Sequence, residues 1–313
     1  VTVLHTIVQG SRRLSKLTRQ KYLLDLDRWE EFAGTSPTGW TRYRAQEFYD
    51  KLIEIDGVKP QTANRIMSAI RYAAKWWAHR ENNPSLDFAH VETQRKDDTE
   101  IREALSQEDA TKLILACVSP GERVQPIDLR DLALVVTGLE TGMRRMSLAG
   151  MMFDRITTKF GYPSVFVPVK GHKEPVSVPL SDTVMLVLEA WKKSLGSLRG
   201  PVFQRLEKRL MPRKGLVYDG SGDSVSERMV HKIVHDRGVE AGLPNVYPHV
   251  FRHTFVTWRL QAQMSDVLIS SITWHTLPKM GAMESYIDRY KLGGDARNAT
   301  PGWLSELVKR LLP

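Results

Sequence analysis

Cysteine is almost absent from this 313-residue chain; there is one, Cys117. A lone thiol excludes an internal disulfide and any cysteine-built zinc site, and the plain expectation for it is a small buried hydrophobe. Long apolar runs are also missing: nothing approaches the roughly 18 residues of a membrane span, so no membrane partner is expected. The opening stretch VTVLHTIVQGSRR carries its charge after the apolar residues, unlike a secretory signal. A reducing, cytoplasmic setting is therefore expected. No GxxxxGK[ST] phosphate loop occurs, which removes support for ATP chemistry. His231 with His235 and His249 with His253 stand at i and i+4, but neither pair has the Glu that a zinc-protease helix places after its first His. Neither a metal nor a cofactor is expected. Internal repeats are lacking too.

What remains is an ordinary globular composition, with 42% hydrophobic and 26% charged residues. A single core of this size is near its upper limit, which favours two domains. Basic residues outnumber acids, 45 to 36, for a net charge of +9. The excess is spread over both parts of the chain: residues 1–95 carry 15 basic and 11 acidic side chains. Such a balance suits a polyanionic partner, because each neutralised phosphate releases counterions.

The first 90 or so residues read as helices. Tyr22, Leu26, Trp29 and Ala33 share one face of a helix expected over 18–33, with Thr18 as its cap. A second helix is expected over 44–55, with Phe48, Leu52 and Ile55 inward. A third is expected over 62–80, with Ile66, Ile70, Ala73 and Trp77 buried. Its opposite face carries Arg65, Ser68, Tyr72, Lys75 and His79 without an acid, the pattern of a face that meets phosphates and base edges in a DNA major groove. Residues 91–103 are polar and aperiodic, as in a linker. The expected organisation is a helical domain over 1–92, a linker over 93–103, and a mostly helical domain over 104–313 containing a small β-sheet.

In the second part, Leu105, Ser106, Glu108 and Asp109 look like a staple, an N-cap and an acidic first turn. The apolar face of Ala110, Leu113, Ile114 and Cys117 follows them. A strongly apolar helix is expected over 129–139. Ser164–Val169 and Val176–Leu180 read as strands around a turn holding Gly171 and His172. Residues 214–224 read as a flexible loop. Helices are expected over 225–240 and 251–261, and after Thr300-Pro301. That terminal helix carries a stripe of Trp303, Leu304, Leu307, Val308 and Leu311.

Two arginines stand where scaffold elements turn: Arg144 in Thr141-Gly142-Met143-Arg144, and Arg252 in His249-Val250-Phe251-Arg252-His253. A guanidinium fork matches two phosphate oxygens, so a pair of this kind suits a phosphate clamp.

Together these segments resemble the tyrosine recombinase (phage integrase) family, over about residues 18–290. Thr141-Gly142-Met143-Arg144 resembles the first arginine box, and His249-Val250-Phe251-Arg252 the H-x-x-R box. Lys170 resembles the β-hairpin lysine, with Lys173 on the other flank of the turn as the other candidate; His275 resembles the late His/Trp position, and Tyr286 the nucleophile. There are three departures. Ser147 stands where an acid is usual. Thr273-Trp274 stands where Leu-Gly is usual before the late His. The gap from His275 to Tyr286 is about two residues longer than usual, which leaves Tyr290 as the other candidate.

The resemblance implies a mainly α fold with a small β-sheet: an N-terminal helical core-binding domain followed by a C-terminal tyrosine-recombinase catalytic domain. It implies site-specific cleavage and rejoining of double-stranded DNA through a 3′-phosphotyrosine, without cofactor or metal. Arg144, Arg252 and His275 would hold the phosphate, His249 would accept the tyrosine proton or hydrogen-bond the phosphate, Lys170 would protonate the leaving oxygen, and Tyr286 would attack. The implied enzyme is bacterial or phage-encoded, of the simple two-domain type similar to Cre and the Xer recombinases. It would act as a homotetramer on two DNA sites, with accessory DNA-binding proteins as possible partners. The terminal helix would then dock on a neighbouring protomer. A catalytically inactive DNA-binding protein, a type IB topoisomerase and a telomere resolvase are the competing readings.

Overall fold

The computed structural model describes residues 2–36, 39–81, 88, 91–94, 104–118, 124–158, 161–195, 199–211, 215–274 and 301–313. It divides into two compact units, Val1–Ile101 and Arg102–Pro313. Among the described residues no helix is long and apolar enough to cross a membrane.

The first unit packs four helices: α1 (Val3–Gln9), α2 (Lys16–Ala33), α3 (Arg42–Glu54) and α4 (Pro60–Glu81). Trp29 on α2 anchors the core. Its ring meets Trp40 at 5.7 Å, Phe48 at 5.4 Å and Phe88 at 5.8 Å, each edge to face, the arrangement that aromatic quadrupoles favour. Ile66, Ile70 and Ala73 are fully buried, as their spacing requires.

Several expected boundaries move. The cap of α2 is Ser15, whose side chain accepts from the Thr18 N–H, so Thr18 lies inside the helix. Ile55 is 77% exposed rather than inward; it is the C-cap of α3, one step past the buried face. The third helix, α4, begins at Pro60, two residues before its expected start at 62, because the missing N–H of proline costs nothing in a first turn. The beginning of the expected linker is tied to this unit: Val91 is buried, and the Gln94 N–H donates to Tyr49 Oη at 2.8 Å.

The second unit is built around α6 (Pro126–Thr141), whose residues from Asp128 onward are all buried. Pro126 pre-sets its first turn, and Gly142 ends it in the left-handed region at φ 58°. Around it lie α5 (Gln107–Leu115), α7 (Arg145–Ala149), α8 (Asp182–Leu195), α9 (Glu227–Glu240), α10 (Pro248–Gln261) and α11 (Asp266–Thr273). Ser106 caps α5, and Ala110, Leu113, Ile114 and Cys117 are buried as the sequence indicates.

The strands β1 (Ile156–Thr157), β2 (Ser164–Val167) and β3 (Val176–Pro179) form an antiparallel sheet in the order β1-β2-β3. In its register Val165 faces Val178 and Val167 faces Val176.

Two expectations fail here. Residues 214–224 are not a loop; Gly215–Ser224 is β5, paired antiparallel with β4 (Gln204–Met211). A two-stranded ribbon is held by backbone groups, so its glycines and two aspartates hide it from a side-chain pattern. The terminal helix α12 (Gly302–Leu311) starts after Pro301. Its stripe does not await another protomer: Leu304 and Val308 are fully buried in the core of this same unit, and Trp303 meets Trp258 at 5.7 Å. Trp303, Leu307 and Leu311 are partly buried against the same core, so in the single chain the stripe packs on its own unit.

Candidate active site

The site begins where α6 meets α10. Gly138 and Gly142 on α6 let the phenylalanines of α10 come close. A Cβ on Gly138 would lie 2.4 Å from the Phe251 ring, and one on Gly142 would lie 3.1 Å from Phe255. Between those two phenylalanines stands Arg252. Its Nη1 donates to the Gly142 carbonyl and to the Thr273 carbonyl, each at 3.1 Å. The side chain is thus fixed by the C-terminal ends of α6 and α11. Among the described residues its Nε and Nη2 have no acceptor, which leaves two edges of the fork for an anion.

Arg144 is the N-cap residue of α7, two positions after Gly142, and is half-buried. Burial first, then the like charge of Arg144, push the Arg252 guanidinium down to about 10. Among the described residues neither arginine has a carboxylate partner. The neighbouring Arg145 does, with Glu227 on α9 at 2.9 Å. Two mutually repelling guanidiniums without a counterion form a site for an anionic oxygen.

Ser147, at the position where an acid is usual, is buried and donates to the Pro168 carbonyl at 2.7 Å. It fastens α7 to the end of β2, two residues before Lys170. Gly150 makes the same approach possible, since a Cβ there would lie 2.6 Å from the Pro168 ring. Lys170 is exposed in the turn between β2 and β3. His249 is exposed in the first turn of α10, with its ring 5.1 Å from that of His253. The i, i+4 pair of His249 and His253 noted in the sequence thus packs ring against ring. The structure therefore brings Arg144 and Arg252 together and ties the Lys170 hairpin to their scaffold. His275, Tyr286 and Tyr290 lie outside the described residues.

A family model described as the phage integrase family matches residues 103–291, and one described as the phage integrase N-terminal SAM-like domain matches residues 6–81. The chain belongs to the phage integrase family. Tyrosine recombinase XerD of Bifidobacterium longum (strain NCC 2705) is 25% identical over 269 residues, covering 84% of each chain. Among solved structures, XerH site-specific recombinase bound to palindromic difH in a post-cleavage complex aligns with a TM-score of 0.64 and 17% identity, covering 94% of this chain and 83% of that one. A lambda integrase tetramer bound to a Holliday junction aligns with a TM-score of 0.64 and 14% identity, covering 92% and 76%. Those two structural likenesses speak for the fold.

In this tyrosine recombinase the expected DNA-facing stripe of α4 needs one correction. It is acid-free only in sequence. Packing of α2 against α4 brings the buried carboxylate of Asp25 onto Arg65, and the two form an ion pair. Tyr72 is also engaged, with its hydroxyl 2.6 Å from Ser11 Oγ and its ring 5.9 Å from Tyr22. Ser68, Lys75 and His79 are exposed. Arg65 thus satisfies a carboxylate that would otherwise be stranded in the core, while Lys75 keeps the character the stripe was read to have.

Proposed function

We propose that this chain cleaves and rejoins double-stranded DNA at specific sites through a 3′-phosphotyrosine. The observation that carries the reading is the pair Arg144 and Arg252, two guanidiniums without a carboxylate partner among the described residues. In the proposed reaction they hold the non-bridging oxygens of the scissile phosphate. There they offset the charge that gathers in the pentavalent state. The Tyr286 oxygen attacks phosphorus and its proton passes to His249, since a phenol is a poor nucleophile while protonated at neutral pH. The bond to the 5′-oxygen breaks, and that oxygen takes a proton from Lys170. His275 donates a hydrogen bond to the phosphate. The new phosphotyrosine keeps the energy of the broken phosphodiester, so the reverse attack by a 5′-hydroxyl rejoins the strand. Exchange between two sites calls for four protomers, and a homotetramer on two DNA sites is the assembly we assign.

A nicked suicide substrate, which traps the covalent adduct, tests the nucleophile. Tyr286→Phe should bind the DNA and yield no adduct, whereas Tyr290→Phe should yield it. Mapping of the trapped peptide to Tyr290 would move the role to that residue.

On the DNA-binding face, Lys75, Ser68 and His79 are assigned to phosphate and base contacts from α4, with Arg65 and Tyr72 supporting them. Lys75→Ala should reduce the slope of log affinity against log salt by about one phosphate's worth. Arg65→Ala should instead lower the melting temperature, because it leaves Asp25 buried and unpaired. Equal salt slopes for Lys75→Ala and the parent would remove α4 from the DNA interface.

A further inference from the structure

Trp274 caps α11 in the left-handed region, at φ 51° and ψ 44°, a conformation that L side chains avoid and glycine takes freely. Backbone geometry therefore argues against tryptophan, and a residue held in such a conformation must be fixed by its surroundings. Two contacts of the indole do so. Nε1–H donates to the Ser177 carbonyl on β3 at 2.7 Å. The ring stands edge-on to His172, with centroids 5.6 Å apart. Both partners belong to the β2–β3 hairpin that carries Lys170, and His172 lies in its turn. The preceding residue is also engaged, since the Thr273 carbonyl accepts from Arg252.

We infer that Trp274 is a positioning residue that holds the Lys170 hairpin against the arginine pocket. This rests on the proposed role of Lys170 as the proton donor to the leaving oxygen. An exposed lysine on a turn has four rotatable carbons and no fixed direction of its own. Anchoring the turn at His172 and the strand after it at Ser177 limits where its ammonium travels and raises the fraction of time it spends near the 5′-oxygen. The indole performs no chemistry; it acts through the hairpin.

The test is single-turnover cleavage of two nicked substrates that differ in one atom. One has an ordinary scissile phosphodiester. The other has sulfur as the 5′-bridging atom, which leaves as a thiolate and requires no proton. Trp274→Gly relieves the backbone and deletes both indole contacts. It should slow the ordinary substrate by about tenfold or more, restore near-parental rates on the sulfur substrate, and leave DNA affinity unchanged. Lys170→Ala should show the same selectivity, and the double variant should be no slower than Lys170→Ala alone. His172→Ala, on an exposed turn where it does not threaten folding, should reproduce the selectivity in weaker form and decides the matter if Trp274→Gly fails to fold. Rescue of Lys170→Ala but not of Trp274→Gly or His172→Ala overturns the positioning role and leaves the proton-donor reading intact. Failure to rescue Lys170→Ala overturns the proton-donor reading, and the role of Trp274 with it.

Discussion

Arg252→Met is expected to slow strand cleavage by about a hundredfold to a thousandfold, the usual cost of removing one preorganised donor to developing charge. The effect should be larger on cleavage than on DNA affinity, because many backbone contacts share the binding whereas few groups meet the pentavalent phosphorus. Arg252→Lys should recover little. An ammonium has no fork, so it cannot donate to the Gly142 and Thr273 carbonyls on one side while offering two parallel donors on the other.

The same residue makes a second measurement informative. Burial and Arg144 lower Arg252 to about 10, below the ordinary arginine value. At pH 7 the guanidinium is charged in both folded and unfolded chains, and its confinement beside Arg144 is a standing cost to the fold. An anion in the pocket offsets the cost, so inorganic phosphate should raise the melting temperature of the parent at pH 7. Arg252→Met should show no phosphate-dependent gain at pH 7. An equal gain in parent and variant, or cleavage within tenfold of the parent, would remove Arg252 from the phosphate site.

How much of this was legible in the sequence depends on the range of the interaction. Helices α2, α4 and α5 announce themselves through apolar spacing, α5 also through its Ser106 cap, and Leu26, Ile70 and Ile114 are buried accordingly. Arg144 and Arg252 were legible because each sits in a short motif at the end of an element. Contacts between distant segments were not. Nothing local to Arg65 signals Asp25, 40 residues away, which ends the acid-free reading of that face. Nothing local to Trp274 signals Ser177, 97 residues away. The β4–β5 ribbon and the docking of α12 failed for a related reason. A ladder of backbone groups leaves little side-chain pattern, and an apolar stripe states only that it must be covered, not by what.

Charge removal inside the helix pair that carries the pocket should produce the largest change in stability. Arg259 on α10 is 1% exposed, as buried as any leucine of the core. Its Nη2 lies 3.7 Å from Glu140 Oε1 on α6, an ion contact too long for a hydrogen bond. Its guanidinium stacks 4.3 Å from the Phe255 ring centroid. Among the described residues none of its three nitrogens finds a hydrogen-bond acceptor. Burial holds the guanidinium below its usual value, and Glu140 opposes this only in part. Such a pair is a costly way to join two helices, yet losing Glu140 is worse, because the Arg259 charge is then stranded.

Glu140→Leu should therefore destabilise the chain by about 3–5 kcal/mol, or about 6–20 °C in melting temperature for a unit of this size. Arg259→Met should cost a similar amount. The double variant Glu140→Leu/Arg259→Met should recover most of the loss, since two apolar side chains of like volume replace two buried charges. Thermal or urea unfolding of the four proteins closes the cycle. If the two single losses simply add in the double variant, the charges are not coupled and the helix pair is held by Phe251 and Phe255 alone. Recovery of stability with cleavage intact would separate the ion pair from the chemistry. Recovery of stability without cleavage would mean that this pair sets the spacing at which Gly142 meets Arg252.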